Sequence, residues 1–133
     1  MQKIDPRYFS KNAYEGLGEV RETIAPAYHS KASSIVQGLP SYIASWGLHR
    51  LAGDAIKYAD RSRSEDTRYK GLVYRTFLEK LKSLGAIEFD LESLSQVFEM
   101  PLPQYTQINR LAIELAREWS FWATAILGEA TEP

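Results

Sequence analysis

The amino-acid sequence predicts an all-α protein, a single-domain bundle of five or six helices spanning residues 1–133. Apolar residues recur at steps of three and four through most of the chain, which is the period of helices with one buried stripe. Alternation of the kind that predicts a strand is confined to Ala86–Phe89. A chain of this length can bury one core without metals or disulfides. The absence of cysteine excludes disulfides, thiolate zinc sites and a cysteine nucleophile.

The first helical segment is predicted to begin at Asp5-Pro6, because Asp is a good N-cap and Pro is favoured in the first turn of a helix. Apolar residues keep helical spacing from there as far as Gly38. Pro26 lies within this segment and removes one backbone hydrogen bond. The segment is therefore either one long helix bent at Pro26 or two helices that meet near Ala25.

A joint between helices is predicted at Gly38-Leu39-Pro40, where a helix-ending glycine is followed by a helix-starting proline. The second helix is then expected from about Leu39 to Asp60, with its apolar residues again spaced by three and four. Gly47 and Gly53 fall inside it, where glycine is unfavourable by about 1 kcal/mol relative to alanine. They indicate either close packing against a neighbouring helix or a close approach of the backbone to a ligand.

The remaining chain is predicted as a polar loop, a third helix, a short connector, a short fourth helix and a long last helix. The loop spans residues 61–68 and the third helix runs from Tyr69 to Gly85. The connector is Ala86–Phe89, the fourth helix is capped by Asp90 and stops before Pro101, and the last helix runs from Gln104 to Leu127. The last helix has the most regular apolar stripe, and Trp119 and Trp122 on that stripe are expected in the core. Phe121 falls off the stripe and is predicted as a contact with a partner.

The charged residues are unevenly distributed although the net charge is only −1. Residues 45–85 carry nine Lys/Arg against five Asp/Glu, whereas residues 86–133 carry two against eight. A basic middle favours contact with phosphates, and the alternative is an ordinary solvated helix surface. The predicted nucleic-acid-binding residues are Arg50, Lys57, Arg61, Arg63, Arg68, Lys70 and Arg75. Trp46 is predicted, with Phe121, to bind a protein partner.

No catalytic, metal-binding or phosphate-cradling motif occurs in the sequence. His29 and His49 lie on different predicted helices, and neither has the spacing of a metal-ligating pair. The sequence therefore predicts a protein that is not an enzyme and that holds no metal and no cofactor. No apolar run approaches the roughly 20 residues that span a bilayer, and the first residues lack the apolar core of a signal peptide. A cytoplasmic protein without membrane contact is expected.

Two patterns of packing residues make the chain resemble a known family over most of its length. The first comprises Tyr28, Leu39-Pro40, Ile43, Gly47-Leu48, Leu51-Ala52 and Lys57. The second comprises Tyr105, Leu111-Ala112, Leu115, Trp119 and Trp122-Ala123. Together they resemble the small subunit of the type III-B (Cmr) CRISPR RNA-guided effector complex. Members of that family often have a basic residue beside the tryptophan of the last helix, where this chain has Ser120 and Phe121.

The resemblance implies a non-catalytic role in antiviral defence. Such subunits stack in several copies as an inner filament, beside the backbone subunits that hold the guide RNA. They contact the large polymerase-like subunit and line the path of the duplex of guide RNA and target RNA. On this hypothesis the basic segment faces the sugar–phosphate backbone of RNA. The competing hypotheses are a helical adaptor that binds only protein, through Trp46, Phe121 and the acidic tail, and an enzyme with an unrecognised site.

Overall fold

A computed structural model of the chain describes residues 5–84 and 95–131, which form six α-helices and no strand. The helices are α1 (Pro6–Thr23), α2 (His29–Trp46), α3 (Leu48–Ala59), α4 (Glu65–Ser83), α5 (Ser95–Phe98) and α6 (Leu102–Leu127). Their buried apolar side chains belong to one hydrophobic cluster. The predicted all-α bundle of five or six helices is confirmed.

The first predicted segment is two helices, the second of the two alternatives that the sequence left open. The Asp5 carboxylate accepts a hydrogen bond from the Arg7 backbone N–H at 3.0 Å, and Pro6 is the first residue of α1. Helix α1 ends at Thr23, and Pro26–Tyr28 form a short 3₁₀ turn that leads directly into α2. The change of direction therefore falls where Pro26 removes a backbone donor.

The predicted joint at Gly38-Leu39-Pro40 is wrong, because α2 continues through all three residues to Trp46. Val36, Leu39 and Ile43 are completely buried along one face of this helix, and α2 makes its most extensive contact with α6. Burying each such side chain contributes about 1.5–3 kcal/mol. The three side chains together therefore contribute more than the roughly 3 kcal/mol by which proline disfavours a helix interior, so packing overrides the local preference for a break.

The chain instead changes direction at Gly47, which separates α2 from α3. Gly47 has φ of 86°, in the left-handed region that favours glycine, and its N–H donates to the Ile43 carbonyl at 2.9 Å. The Leu48 N–H at the start of α3 donates to the Asn109 side-chain oxygen on α6 at 2.8 Å. The single helix predicted from Leu39 to Asp60 is therefore replaced by the end of α2 and by α3.

Two alanine substitutions distinguish the observed joint from the predicted one. A Cβ at Gly38 meets no other atom within 4 Å, so Gly38→Ala is expected to raise the free energy of unfolding by about 0.5–1 kcal/mol. Gly47→Ala is expected to lower the free energy of unfolding. An added Cβ would lie 2.5 Å from the Tyr105 hydroxyl, and a left-handed conformation disfavours alanine by about 1–2 kcal/mol. Urea denaturation followed by circular dichroism measures both; destabilisation by Gly38→Ala would contradict a continuous α2.

Helices α3 and α4 pack closely and are joined by a short loop at residues 60–64. The Asp60 carboxylate accepts hydrogen bonds from the N–H and hydroxyl of Ser62, both at 2.9 Å, which fixes the turn. The two helices meet at Gly71, where a Cβ would lie 2.3 Å from the Ala59 nitrogen. By contrast, a Cβ at Gly53 meets nothing within 4 Å, so the close packing considered for that glycine is not observed.

Helix α6 forms the long wall of the core against α1 and α2. It begins at Leu102, two residues before the predicted start, and ends at Leu127 as predicted. Trp119 is completely buried, as predicted, whereas Trp122 is only half-buried. The predicted connector Ala86–Phe89 and the predicted cap at Asp90 lie outside the described residues.

Candidate nucleic-acid interface

One face of α3 presents two cations and one carboxylate to solvent. Arg50, Asp54 and Lys57 are spaced by four and three residues, which places them on the same side of a helix. Arg50 and Lys57 are exposed, and Asp54 is half-buried because its carboxylate accepts a hydrogen bond from the Tyr42 hydroxyl on α2. The only acid on this line of α3 is therefore engaged by a neighbouring helix.

Trp46 and Arg50 form a cation–π pair at the junction of α2 and α3. The guanidinium carbon of Arg50 lies 4.8 Å from the centroid of the Trp46 ring. The Trp46 side chain remains 55% exposed. The sequence assigned Trp46 to a protein partner and Arg50 to nucleic acid, whereas the turn at Gly47 brings the two into one surface.

Three tyrosines from α2, α3 and α4 form a row beside this surface, in which Tyr42 and Tyr58 are half-buried and Tyr74 is buried. The ring centroid of Tyr74 lies 5.8 Å from that of Tyr42 and 6.4 Å from that of Tyr58. Two lysines flank the end of the row, with the Lys57 and Lys70 ammonium groups 5.4 and 5.9 Å from the Tyr58 ring centroid. We call this surface the basic–aromatic face; it comprises Tyr42, Trp46, Arg50, Lys57, Tyr58 and Lys70, with the buried Tyr74 packed against its two tyrosines.

Tyr42 and Tyr74 add no negative charge to the basic–aromatic face near neutral pH. Burial, followed by the hydrogen bond to Asp54, raises the pKa of Tyr42 well above its usual value. Burial likewise raises the pKa of Tyr74 to about 12. Both hydroxyls therefore stay protonated, so the titration of these two tyrosines does not oppose the positive field of the neighbouring lysines.

The cations of this face form no ion pair with a carboxylate of the described residues. Within residues 5–84 and 95–131, no carboxylate oxygen lies within 4.0 Å of the charged nitrogens of Arg50, Lys57 or Lys70. Arg61 and Arg63 are exposed on the adjoining loop. The hydrogen bonds from Ser62, with a smaller contribution from the positive charge of Arg63, lower the pKa of the Asp60 carboxyl. The loop therefore holds one ionised acid beside two arginines.

Arg68 and Arg75 lie on a different side of the molecule from Lys70. Successive residues of a helix are turned by about 100°, so Arg68 and Lys70, two apart on α4, point to nearly opposite sides. Arg68 lines a pocket with Glu65 and the 3₁₀ turn, and the Arg75 guanidinium lies 3.6 Å from the Glu79 carboxylate. The seven predicted nucleic-acid-binding residues are thus divided between two faces.

Phe121, the other predicted partner contact, is far from the basic–aromatic face. It lies twelve residues beyond Asn109, the α6 residue that contacts the start of α3, a rise of about 18 Å along the helix. Its ring is 72% exposed and packs edge-on against Trp122, with centroids 5.2 Å apart. Trp122 in turn meets the Tyr14 ring on α1 at 6.4 Å. The two predicted partner contacts therefore belong to separate surfaces.

The three tyrosines at the basic–aromatic face were not among the residues predicted from the sequence. The spacing of two of these tyrosines does link them to predicted site residues. Tyr42 precedes Trp46 by four residues and Tyr74 follows Lys70 by four, which places each pair on one side of its helix. What periodicity does not specify is which helices become neighbours. The contact between the Tyr42 and Tyr74 rings, from α2 and α4, depends on that arrangement.

The described residues offer no competing site for metal chemistry. Among residues 5–84 and 95–131, no group of three or more His, Asp or Glu side chains is placed to hold a metal ion. No helix in these ranges combines the length and the apolar character that crossing a membrane requires. In comparisons with known proteins, the chain matches no protein-family model, no curated protein and no solved structure.

Proposed function

We propose that this protein is a non-catalytic RNA-contacting subunit, the small subunit of a type III CRISPR ribonucleoprotein effector complex. The observation that carries the proposal is the basic–aromatic face, on which Arg50, Lys57 and Lys70 are free of carboxylate partners among the described residues. Sequence-independent contact with RNA needs cations that reach phosphate oxygens without base-specific geometry. This face supplies them from α3 and α4, and the adjoining loop adds Arg61 and Arg63.

The surroundings of these cations favour a polyanionic ligand. The one acid on this side of α3, Asp54, accepts a hydrogen bond from Tyr42 rather than pairing with Lys57 or Lys70. Arg61 and Arg63 extend the positive charge beyond the end of α3. The opposite side of α4 is less suitable, because Arg68 lies beside Glu65 and Arg75 pairs with Glu79. We therefore place RNA on the α3 side of the α3–α4 pair.

The remaining partners in this proposal follow from the family resemblance. They are further copies of the same chain stacked as an inner filament, the backbone subunit that holds the guide RNA, and the large polymerase-like subunit. Guide RNA and target RNA run along the filament, and the protein acts in the cytoplasm as part of antiviral defence. It contributes binding surface and no reacting group.

Two matched double substitutions test which face binds RNA. Lys57→Ala with Lys70→Ala removes two charges from the basic–aromatic face, and Arg68→Ala with Arg75→Ala removes two from the other. Each lost phosphate contact reduces the slope of log affinity against log salt by about 0.7 for a single strand. We expect the lysine pair to lower affinity and reduce the slope, and the arginine pair to change neither. Fluorescence anisotropy of a labelled oligoribonucleotide over a salt series measures both.

A protein-only adaptor is the second candidate, and the exposed aromatic cluster of Tyr14, Phe121 and Trp122 favours it. If the protein is an adaptor of this kind, its RNA affinity should be negligible even at low salt, and neither double substitution should change that affinity. Equal losses from the two double substitutions would contradict the placement of RNA on the α3 side while retaining an electrostatic contact. Loss from the arginine pair alone would place RNA on the opposite side of α4.

A further inference from the structure

Trp46 differs from the other two tryptophans of the chain in being mostly exposed. Trp119 is completely buried and Trp122 is half-buried under α1 and Phe121, whereas Trp46 is 55% exposed at the C-terminal end of α2. Folding thus leaves a large apolar ring in solvent beside the Arg50 guanidinium. An exposed tryptophan in such surroundings suits a ligand that combines negative charge with a flat aromatic group.

The Arg50 side chain supports the Trp46 ring. The two residues are four apart in sequence and straddle Gly47, and the guanidinium lies 4.8 Å from the ring centroid. A planar guanidinium placed in this way stacks on an aromatic face while retaining donors for phosphate oxygens. The pair therefore offers a flat apolar surface and a phosphate-binding group side by side.

The next cations lie at a distance that one nucleic-acid strand can span. Lys57 follows Arg50 by seven residues on the same side of α3, a rise of about 10 Å along the helix axis. Lys70 joins Lys57 around the Tyr58 ring. At about 3.4 Å per stacked nucleotide, this distance corresponds to roughly three nucleotides. One strand can thus contact Arg50 at one end and the two lysines at the other.

We propose that Trp46 is a stacking platform for an unpaired RNA base, so that the basic–aromatic face selects single-stranded RNA over duplex. Arg50 and the Lys57–Lys70 pair hold phosphates of the same strand, and the base next to the Arg50-bound phosphate stacks on the indole. Bases within a duplex are paired and stacked on one another, and their faces do not reach a protein ring. This inference rests on the proposed function, because it assigns the form of RNA that the same face accepts: target RNA before it pairs with the guide.

The test compares two substitutions at Trp46 on two RNA ligands. Wild-type protein, Trp46→Phe and Trp46→Ala are titrated with a short oligouridylate and with a duplex of equal length. Base stacking on aromatic side chains is sequence-tolerant, and its removal by alanine lowers affinity by about 5- to 150-fold. We expect that loss for Trp46→Ala on the single strand, a smaller loss for Trp46→Phe, and a change of less than about twofold on the duplex. Because the side chain is exposed, thermal melting should show that both variants remain folded.

Indole N–H signals in the NMR spectrum give a second readout. The chain contains three tryptophans, and Trp46→Phe assigns the signal of Trp46 by its disappearance. Oligouridylate is expected to shift that signal and to leave the signal of buried Trp119 in place. An unshifted Trp46 signal, or equal losses on single strand and duplex, would overturn the stacking role. If Lys57→Ala with Lys70→Ala still weakened RNA binding, the proposed function would stand; absence of RNA binding by the wild-type protein would overturn both.

Discussion

Trp119→Ala is expected to lower the free energy of unfolding by about 3–5 kcal/mol, the range observed when a buried tryptophan is truncated to alanine. The indole is completely buried, and its ring packs edge-on against Phe77 with centroids 5.2 Å apart. Its N–H donates to the Asn12 side-chain oxygen at 3.2 Å. Since domains are typically stable by only 5–15 kcal/mol, this single change removes a large fraction of the total.

The cost arises from two separate losses. Removing the indole leaves a cavity between α1, α4 and α6, because Trp119 contacts the backbone of α1 at Gly16 and the ring of Phe77 on α4. It also removes the donor to Asn12, a buried side chain whose amide N–H₂ donates to the Lys80 carbonyl at 2.8 Å. A buried acceptor left without a donor costs about 1–3 kcal/mol.

Urea denaturation followed by far-UV circular dichroism measures this loss, with Trp46→Ala as the matched control. The same chemical change at an exposed site is expected to alter stability by no more than about 0.5 kcal/mol. Equal effects of the two substitutions would show that Trp119 does not lie in the core. An intermediate loss is expected for Trp119→Phe, because phenylalanine keeps an aromatic ring in the core but lacks the N–H that donates to Asn12.

The position of Trp119 illustrates what the sequence predicts well. Apolar spacing along α6 requires only that one side of a long helix be buried, and this pattern fixed the end of the helix at Leu127. The start of α1 was equally accessible, because Asp5 caps the helix through its own side chain. Both features depend on residues that are neighbours in the chain, and local rules are sufficient for them.

The joint between helices shows where local rules fail. Gly38 and Pro40 favour a break, but Leu39 and Ile43 are completely buried on the side of α2 that packs on α6. The observed break at Gly47 is held instead by the bond between Leu48 and Asn109, residues 61 positions apart. A sequence gives no direct indication of such a distant partner, so the choice between two glycines was decided by tertiary contacts.

The candidate site was predicted in part for the same reason. Charge counting selected the segment that contains Arg50, Lys57 and Lys70. Helical phase alone would have separated Arg68 from Lys70, and this information was available in the sequence. The row of tyrosines could not be predicted from the sequence, because the Tyr42 and Tyr74 rings meet only through the packing of α2 and α4. Local patterns thus supply the charges, and the fold determines which of them share a surface.

Gly71→Ala is expected to destabilise the protein by about 3 kcal/mol, the upper end of the usual cost of overpacking. A Cβ at this position would lie 2.3 Å from the Ala59 nitrogen and 2.7 Å from the carbonyl carbon of Tyr58. These are backbone atoms of α3, which cannot rotate away as a flexible side chain would. Alanine itself favours the helix by about 1 kcal/mol over glycine. The measured loss of stability is therefore the cost of the clash minus this gain.

Gly53→Ala on α3 is the matched control, because a Cβ there meets nothing within 4 Å. It is expected to raise the free energy of unfolding by about 0.5–1 kcal/mol, so the two substitutions should shift the urea midpoint in opposite directions. Gly71 also adjoins Lys70, and separating α3 from α4 moves Lys70 away from Lys57 and Tyr58. The Gly71 variant should therefore bind RNA more weakly under conditions in which it remains folded, whereas the Gly53 variant should not. Stabilisation by Gly71→Ala would show that the two helices are not in contact at this point, and the arrangement of cations derived from that contact would fall with it.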